Sequence, residues 1–344
     1  MAFETATETG KKPWLPKLSD RTFLMCAMLL FGVIIFVMVY ASSLFMGSEW
    51  ATYDTARFQE MAKAIVNGAT PYMDYKDPKP PLLFYLMTVP ELLGQKDLYG
   101  LLLIGIANLI SAFVVMKIGW ELYGRVAGLL AGVLFTMNIG WAQGYFILSE
   151  PFAITFVLLA SYFALCGKSR HYFLAGLCAG LAIGFKQYAL LSVPLLLVVM
   201  YLDKSLQKVP AFLAGVAVPL LAMFGVILVI YGWQAMNASL FWSFGVAISY
   251  MGEKSIDGVT NYRTSDPLML AANLAMATSM FTSVIIIGLA SVFKDRKLST
   301  AETYFLLSAV GFALTILVRQ YLHYWVLALP FFALLCARLF RDER

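Results

Sequence analysis

Ten apolar segments, each close to the length of a membrane-crossing helix, run through this chain of 344 residues. A lipid bilayer is crossed by about 20 consecutive apolar residues in helical form. The segment that includes residues 171–202 is interrupted by Lys186, and we place a tight outer hairpin at this lysine. We predict spans at residues 22–46, 98–117, 126–142, 150–167, 171–187, 188–202, 210–231, 267–293, 302–318 and 324–340.

The composition supports this prediction. Hydrophobic residues make up 61% of the chain and charged residues 13%, with a mean hydropathy of +0.78. Ordinary soluble domains are about 45–50% apolar and about 25% charged, and a single soluble core could not hide the excess from water. A soluble enzyme, a disordered chain and a disulfide scaffold are therefore excluded. We predict an all-α polytopic transmembrane helical bundle, with residues 1–344 as one domain.

The positions of the basic residues predict the orientation. With the N-terminus inside, most of the 25 lysines and arginines fall in cytoplasmic segments, as the positive-inside rule requires. We therefore expect a multi-pass plasma (inner) membrane protein with both termini in the cytoplasm and a cytoplasmic tail at 1–21. The segment 22–46 is too long for a cleaved signal sequence and is expected to be retained.

This orientation leaves two large outer segments, 47–97 and 232–266. In the first, residues 54–67 are expected to be helical. Residues 80–94 are expected to form a helix that lies in the outer interface or dips into it.

Two classes of site find no support in the sequence. The net charge is +5, but no basic run is interleaved with aromatic residues, so we expect no nucleic-acid partner. The four cysteines lie in apolar stretches without C-x-x-C spacing, which predicts small hydrophobic side chains and neither a disulfide framework nor a metal site. They are Cys26, Cys166, Cys178 and Cys336.

The first outer segment carries most of the polar chemistry. Asp54 is a candidate general base at the membrane boundary, and the alternative is an N-cap of the helix that follows. Arg57 lies one turn further on and could pair with Asp54 and keep it ionised. Lys79 precedes Pro80 and Pro81, and it is either a solvated lysine or a phosphate contact.

Further ionisable residues fall on the same predicted face. Glu150 opens an apolar span, where a charge is expensive unless it faces a cavity or a partner, and helix capping is the alternative. Lys186 and Arg319 are candidate phosphate ligands, although both could snorkel to the interface. His323 is a weaker candidate for the same site. Acids and cations together on one face suggest a site for an anionic lipid and an acceptor.

These residues resemble the GT-C glycosyltransferases, in the branch of the protein mannosyltransferases and the lipid A aminoarabinose transferases. The similarity begins with Asp54-x-x-Arg57, Gly68-x-x-Pro71-Tyr72 and Lys79-Pro80-Pro81-Leu82 in the first outer segment. It continues in order through Leu122-Tyr123-Gly124-Arg125, Ser149-Glu150-Pro151, Gly180 to Lys186 and His323-Tyr324-Trp325. The sequence departs from the family at two points. Thr55 stands where many members have Glu after the Asp, and the sequence stops at Arg344, where many members continue with more spans or a soluble domain.

The resemblance implies a membrane enzyme that transfers a sugar from a polyprenyl-phosphate-linked donor on the extracytoplasmic face. It implies that Asp54 is the base and that Glu150 is a second acidic residue of the site. The basic residues Lys79, Lys186 and Arg319 would hold the donor phosphate with His323, and Arg57 and Tyr324 would support them. We expect no metal ligands, while a divalent cation, Mg or Mn, stays open as a cofactor.

The expected partners are a polyprenyl-phosphate sugar lipid, membrane lipids and a glycan, lipid or protein acceptor. Two other functions remain open. A carrier for a lipid-linked or anionic substrate would place charges midway through its spans, whereas the charges here lie near span ends. A non-catalytic subunit of a membrane complex would tolerate changes at Asp54 and Glu150.

Overall fold

The computed structural model describes residues 19–45, 49–166, 171–246, 255–256, 259–260, 267–294, 297–317 and 321–341. These residues form thirteen α-helices, and the all-α helical bundle predicted from the sequence is confirmed. The helices are α1 Asp20–Leu44, α2 Glu49–Val66, α3 Leu82–Leu92, α4 Lys96–Tyr123, α5 Arg125–Trp141, α6 Ser149–Leu165, α7 Tyr172–Phe185, α8 Ser192–Leu202, α9 Val209–Leu240, α10 Pro267–Ser279, α11 Thr282–Phe293, α12 Thr300–Leu314 and α13 Trp325–Ala337. A 3₁₀ turn, Gln187–Leu191, precedes α8, and a π-helix, Phe241–Gly245, follows α9. Two short strands, Ser255–Ile256 and Val259–Thr260, pair antiparallel.

Helix length supports fewer spans than hydropathy alone. Among the described residues, five helices are long and apolar enough to cross a membrane by themselves, or six if one bent pair counts as a span. The other apolar helices, including α5, α6 and α7, have 10–17 residues. The protein is an integral membrane protein, and the number of ten spans stays a prediction.

Contacts between helix ends show which ends of the helices lie together. The start of α1 meets the start of α5 through an ion pair between Asp20 and Arg125. Ser205, just after α8, donates a hydrogen bond of 2.9 Å to the hydroxyl oxygen of Tyr172 at the start of α7. The start of α7 and the end of α8 therefore lie together. Lys186 lies at the turn that joins the two helices at their other end, where the outer hairpin is predicted.

The end of the bundle that holds Ser205 and Tyr172 is closed by a buried arginine, Arg338. The Arg338 Nε donates to a carboxylate oxygen of Glu302 at 2.7 Å, and its guanidinium also donates to the carbonyl oxygen of Ser291. This joins the start of α12, the end of α11 and the chain after α13. The other ends of α11, α12 and α13 consequently lie at the opposite end of the bundle, where the predicted site residues His323 and Tyr324 precede α13.

Glycines allow the closest helix contact, between α7 and α9. A Cβ added at Gly176 would overlap the Phe212 carbonyl oxygen, and one added at Gly215 would overlap the Phe173 carbonyl oxygen. The helix α13 is buried along its whole length. It is the central helix, and its first residue directly follows His323 and Tyr324.

Two helices depart from straight geometry. Within α9 the backbone breaks at Gly232 (φ 83°), directly after the predicted span 210–231, so the helix changes direction where its outer segment begins. The single span expected at 267–293 is bent in the structure, because Ala271–Ser279 and Thr282–Phe293 meet at 83°. Phe281 is fully buried at this bend and packs against the Trp325 ring, 5.3 Å between centroids.

The predicted helix at 80–94 is present as α3.

Candidate active site

One end of the bundle brings together charged residues from five separate segments. We call Asp54, Arg57, Asp77 and Lys79 the loop cluster, since Asp77 and Lys79 lie in the loop between α2 and α3 and the other two face it from α2. We call Glu150, Lys186 and His323 the buried cluster.

The loop cluster is a chain of ion pairs. Asp54 lies on α2, and its carboxylate is 3.6 Å from the Lys79 ammonium. The same ammonium is 3.7 Å from Asp77, whose other carboxylate oxygen is 2.7 Å from the Arg57 Nε. The Lys79 ammonium also lies over the Phe58 ring, 4.6 Å from its centroid. Lys79 is therefore held from several sides.

The buried cluster joins three segments that are distant in the sequence. Glu150 stands in the first turn of α6, and its Oε1 is 2.6 Å from the Lys186 Nζ. The Nε2 of His323 is 3.7 Å from the same carboxylate oxygen. The other ring nitrogen, Nδ1, is 3.4 Å from the Gln143 Oε1. Glu150 and Lys186 are 1% and 3% exposed, so the cluster is screened from solvent.

Tyrosine rings enclose the Lys186 ammonium. It lies 4.9 Å from the centroid of the Tyr324 ring and 5.4 Å from that of Tyr188. The faces of aromatic rings attract cations, most strongly where water is excluded. Tyr324, expected to support the site, therefore contacts one of its cations.

The two clusters act on each other electrostatically. Burial raises the pKa of Asp54, but the Lys79 ammonium, with His323 and Lys186, outweighs it and holds this pKa below its usual value. Burial lowers the pKa of Lys79, but Asp54, Asp77 and Glu150 outweigh it and raise this pKa above its usual value. At neutral pH the site consequently presents an ionised Asp54 beside a charged Lys79.

Several simpler interpretations from the sequence are wrong. Asp54 is not an N-cap, because α2 begins at Glu49. Glu150 does not cap α6, since its carboxylate faces Lys186 and accepts from Ser149. Lys79 and Lys186 are 13% and 3% exposed, so the first is not freely solvated and the second does not snorkel.

The expected pairing of Arg57 takes a different form. Arg57 binds Asp77 and the carbonyl oxygen of Lys76, and it is linked to Asp54 through Asp77 and Lys79. Arg319 lies outside the described residues. All seven other predicted site residues lie at this end of the bundle, namely Asp54, Arg57, Lys79, Glu150, Lys186, His323 and Tyr324.

A divalent cation fits this site poorly. In the part of the chain that the structure describes, no group of three or more His, Cys, Asp or Glu side chains is placed to hold a metal ion. Glu150 and His323 lie 3.7 Å apart, but the Lys186 ammonium already faces the Glu150 carboxylate at 2.6 Å. The four cysteines are free, with Cys26 exposed and the other three buried.

Three residues that contact the site were not predicted from the sequence, namely Asp77, Gln143 and Tyr188. Asp77 lies in the run Asp77-Pro78-Lys79-Pro80-Pro81 and is the acid closest in sequence to Lys79, which was a usable signal. Tyr188 follows Lys186 by two residues. Gln143 gave no signal, because its approach to His323 depends on the turn between α5 and α6.

The fold is similar to that of known membrane proteins, although no family model and no curated protein matches the chain. A crystal structure of ArnT from Cupriavidus metallidurans bound to undecaprenyl phosphate has a TM-score of 0.66 at 14% sequence identity. The apo state of the same protein has a TM-score of 0.55 at 15% identity. Each alignment covers 93% of this chain and 60% of the ArnT chain.

These similarities bear on the fold. The fold that the resemblance in the sequence implies is confirmed by this similarity. The chain spans about 60% of the length of the ArnT structures that it matches.

Proposed function

We propose that this protein is a glycosyltransferase that moves a sugar from a polyprenyl-phosphate-linked donor to an acceptor on the extracytoplasmic face of the plasma (inner) membrane. The observation that carries the proposal is the pair of Asp54 and Lys79, a partly accessible carboxylate beside a charged ammonium. The similar fold of ArnT, in a crystal structure bound to undecaprenyl phosphate, supports a lipid-linked donor.

Exposure distinguishes the two candidate bases. The Asp54 side chain is 29% exposed, whereas that of Glu150 is 1% exposed and faces Lys186 at 2.6 Å. A general base must come within hydrogen-bonding distance of the proton that it removes. The accessible part of the Asp54 carboxylate supports such an approach by an acceptor, whereas the enclosure of Glu150 with Lys186 opposes it. We therefore assign the base to Asp54 and a positioning function to Glu150, which holds Lys186.

The proposed reaction is a direct displacement. The acceptor oxygen or nitrogen attacks the anomeric carbon, and the bond between that carbon and the phosphate oxygen breaks with inversion. The phosphate keeps the electron pair, and Asp54 takes the proton of the acceptor. Lys79 contacts the departing phosphate, where a fixed positive charge stabilises the negative charge that develops in the transition state.

The second cation is Lys186, with His323 beside it and Arg319 as a further candidate. Lys186 carries a charge into a buried position and stays there because Glu150 and two tyrosine rings surround it. Its field reaches the Asp54 carboxylate, so it also favours the ionised base. No step of this reaction requires a metal.

Transfer from labelled lipid donors tests the proposal. The purified protein in liposomes is given a panel of radiolabelled undecaprenyl-phosphate-linked sugars together with a membrane extract as the source of acceptor. Asp54→Asn should lower transfer by about 10²- to 10⁴-fold, the usual contribution of a general base. Glu60→Gln is the matched control, because Glu60 is an exposed acid on the same helix.

Equal turnover by Asp54→Asn and the wild type contradicts the mechanism. Movement of the labelled lipid across sealed vesicles without a covalent product supports the carrier instead. A stable co-purified partner, with tolerance of Asp54→Asn and Glu150→Gln, supports the non-catalytic subunit.

A further inference from the structure

Three side chains donate hydrogen bonds to the backbone of the short segment that carries Lys79. The Arg57 guanidinium donates to the Lys76 carbonyl oxygen at 2.6 Å. The Gln187 amide donates to the Pro78 carbonyl oxygen at 2.8 Å, and the Tyr72 hydroxyl donates to the Lys79 carbonyl oxygen at 2.5 Å. We call these three contacts the carbonyl clamp. They fix three of four consecutive carbonyl groups in a segment without regular structure.

The Tyr72 contact depends on an unusual backbone. Tyr72 has φ 63°, a left-handed conformation that is uncommon for a residue with a bulky side chain. Such residues persist where the surrounding structure holds them, and they concentrate at functional sites. The Tyr72 side chain is 1% exposed and packs edge-on against Phe84, 6.1 Å between centroids. The ring is thus anchored on α3 while its hydroxyl reaches the loop.

The hydroxyl of Tyr72 stays a donor across the physiological range. Burial raises the pKa of Tyr72 well above its ordinary value, against a smaller lowering by the Ser243 hydroxyl and with a further small rise from the Asp77 carboxylate. A neutral phenol donates its proton to the Lys79 carbonyl oxygen.

The Gln187 contact connects the two cations of the site. Gln187 directly follows Lys186 at the turn after α7, and its amide holds the loop one residue before Lys79. The backbone position of Lys186 is consequently tied to that of Lys79. Gln187 therefore contributes to the spacing of the two lysines.

We propose that Tyr72 and Gln187 are positioning residues that fix the Lys79 ammonium relative to Lys186 for binding of the lipid phosphate. This inference rests on the proposed function, in which Lys79 contacts that phosphate. A lysine side chain loses rotamer freedom when it is ordered, and a fixed backbone leaves only that side chain to be ordered when the anion binds.

Two lipids that differ only in the phosphate separate this role from a general loss of structure. The probes are undecaprenyl phosphate and undecaprenol, bound to the purified full chain in detergent micelles. Tyr72→Phe removes one hydroxyl and should weaken undecaprenyl phosphate binding about five- to tenfold, the effect of one lost hydrogen bond. Binding of undecaprenol should stay unchanged, and the unfolding temperature should fall by no more than about 3 °C, as expected for one lost hydrogen bond.

Tyr75→Phe is the matched control, because Tyr75 lies in the same loop and is 42% exposed. It should change neither affinity by more than about twofold, as expected for an exposed surface position. Gln187→Leu should reproduce the effect of Tyr72→Phe, and it decides the question if Tyr72→Phe does not fold.

The outcomes distinguish the inference from the proposed function. A wild type that binds both lipids equally refutes the phosphate site, and the inference falls with it. A wild type that prefers undecaprenyl phosphate, with unchanged affinity in Tyr72→Phe and Gln187→Leu, overturns the inference alone. Equal weakening for both lipids, or early unfolding, shows a structural role and also overturns it.

Discussion

Replacement of Glu150 by glutamine removes one partner of the most buried ion pair in the site. Glu150 is 1% exposed and Lys186 is 3% exposed, with 2.6 Å between the carboxylate oxygen and the ammonium nitrogen. After the substitution Lys186 keeps its position in the turn but loses its counterion. The two tyrosine faces remain as its neighbours, and neither carries a negative charge.

The expected loss of stability follows from this burial. Removing one partner of a buried ion pair costs about 3–5 kcal/mol, because a buried charge is left uncompensated. Total stabilities are about 5–15 kcal/mol, so the loss is a large part of the whole. At about 2 °C per kcal/mol, the lower value for domains of 150–250 residues, the unfolding temperature should fall by about 6–10 °C.

The cysteines provide the assay. Cys166, Cys178 and Cys336 are buried, so a thiol-reactive fluorophore labels them only as the bundle opens on heating. Cys26 is exposed and gives a constant background, which Cys26→Ser removes. The control is Lys117→Met at the other end of the bundle. Its pair with Glu121 is 26% and 28% exposed and should contribute no more than about 1 kcal/mol.

A double variant separates loss of the pair from loss of packing. In Glu150→Gln/Lys186→Met no buried ammonium remains, so the double variant should unfold at a higher temperature than Glu150→Gln alone. The reasoning is refuted if Glu150→Gln unfolds within 1–2 °C of the wild type, about 1 kcal/mol or less, or if Lys186→Met adds a further independent loss.

Three further predictions concern pH, helix packing and orientation. The Lys79 ammonium helps to hold the pKa of Asp54 low, so the wild type should lose activity only as pH falls through that lowered pKa. Lys79→Met should raise the pKa of Asp54 and move the acidic limb of the pH–rate profile to higher pH. An acidic limb that does not move in a variant with residual activity contradicts this. Gly215→Ala should destabilise the protein by about 1–3 kcal/mol through overlap with the Phe173 carbonyl oxygen, whereas Gly225→Ala on the same helix meets no atom within 4 Å and should be neutral or stabilising in thermal unfolding. In a background without the native cysteines, a membrane-impermeant maleimide should label Met73→Cys in intact cells but Lys208→Cys only after permeabilisation, and the reverse pattern would invert the proposed orientation.

Much of the fold was predictable because the bilayer imposes a simple rule on the sequence. Each predicted apolar segment contains a helix or a helix pair, and the turn at Lys186 and the break at Gly232 coincide with polar or glycine interruptions. The 83° bend between α10 and α11 was not predicted, because residues 267–293 carry no charged side chain and have neither proline nor glycine at the bend. The buried contact of Phe281 with Trp325 at this bend is long-range, and hydropathy does not contain it.

The candidate site was predictable in its members but not in its pairs. Charge and predicted sidedness selected Asp54, Lys79, Glu150, Lys186 and His323. The helical spacing suggested a pair between Asp54 and Arg57, but Asp77 takes the Arg57 side chain and Lys79 faces Asp54. These pairings are decided by the path of the loop after α2, which Tyr72 and Gln187 hold through the carbonyl clamp.

The pairing decides which carboxylate can react, and this is where the structure adds most to the sequence. In the sequence Asp54 and Glu150 are each an acid beside an apolar segment on the same predicted face, and Asp54 is favoured as the base by its place at the membrane boundary and by the family resemblance. In the structure Glu150 is enclosed with Lys186 at 2.6 Å, while Asp54 meets Lys79 at 3.6 Å and keeps an accessible surface. An enclosed carboxylate can fix a cation, and an accessible one can receive a proton. Two acids of the same chemistry thus have different proposed functions because burial separates them, as environment separates paired carboxylates in other enzymes.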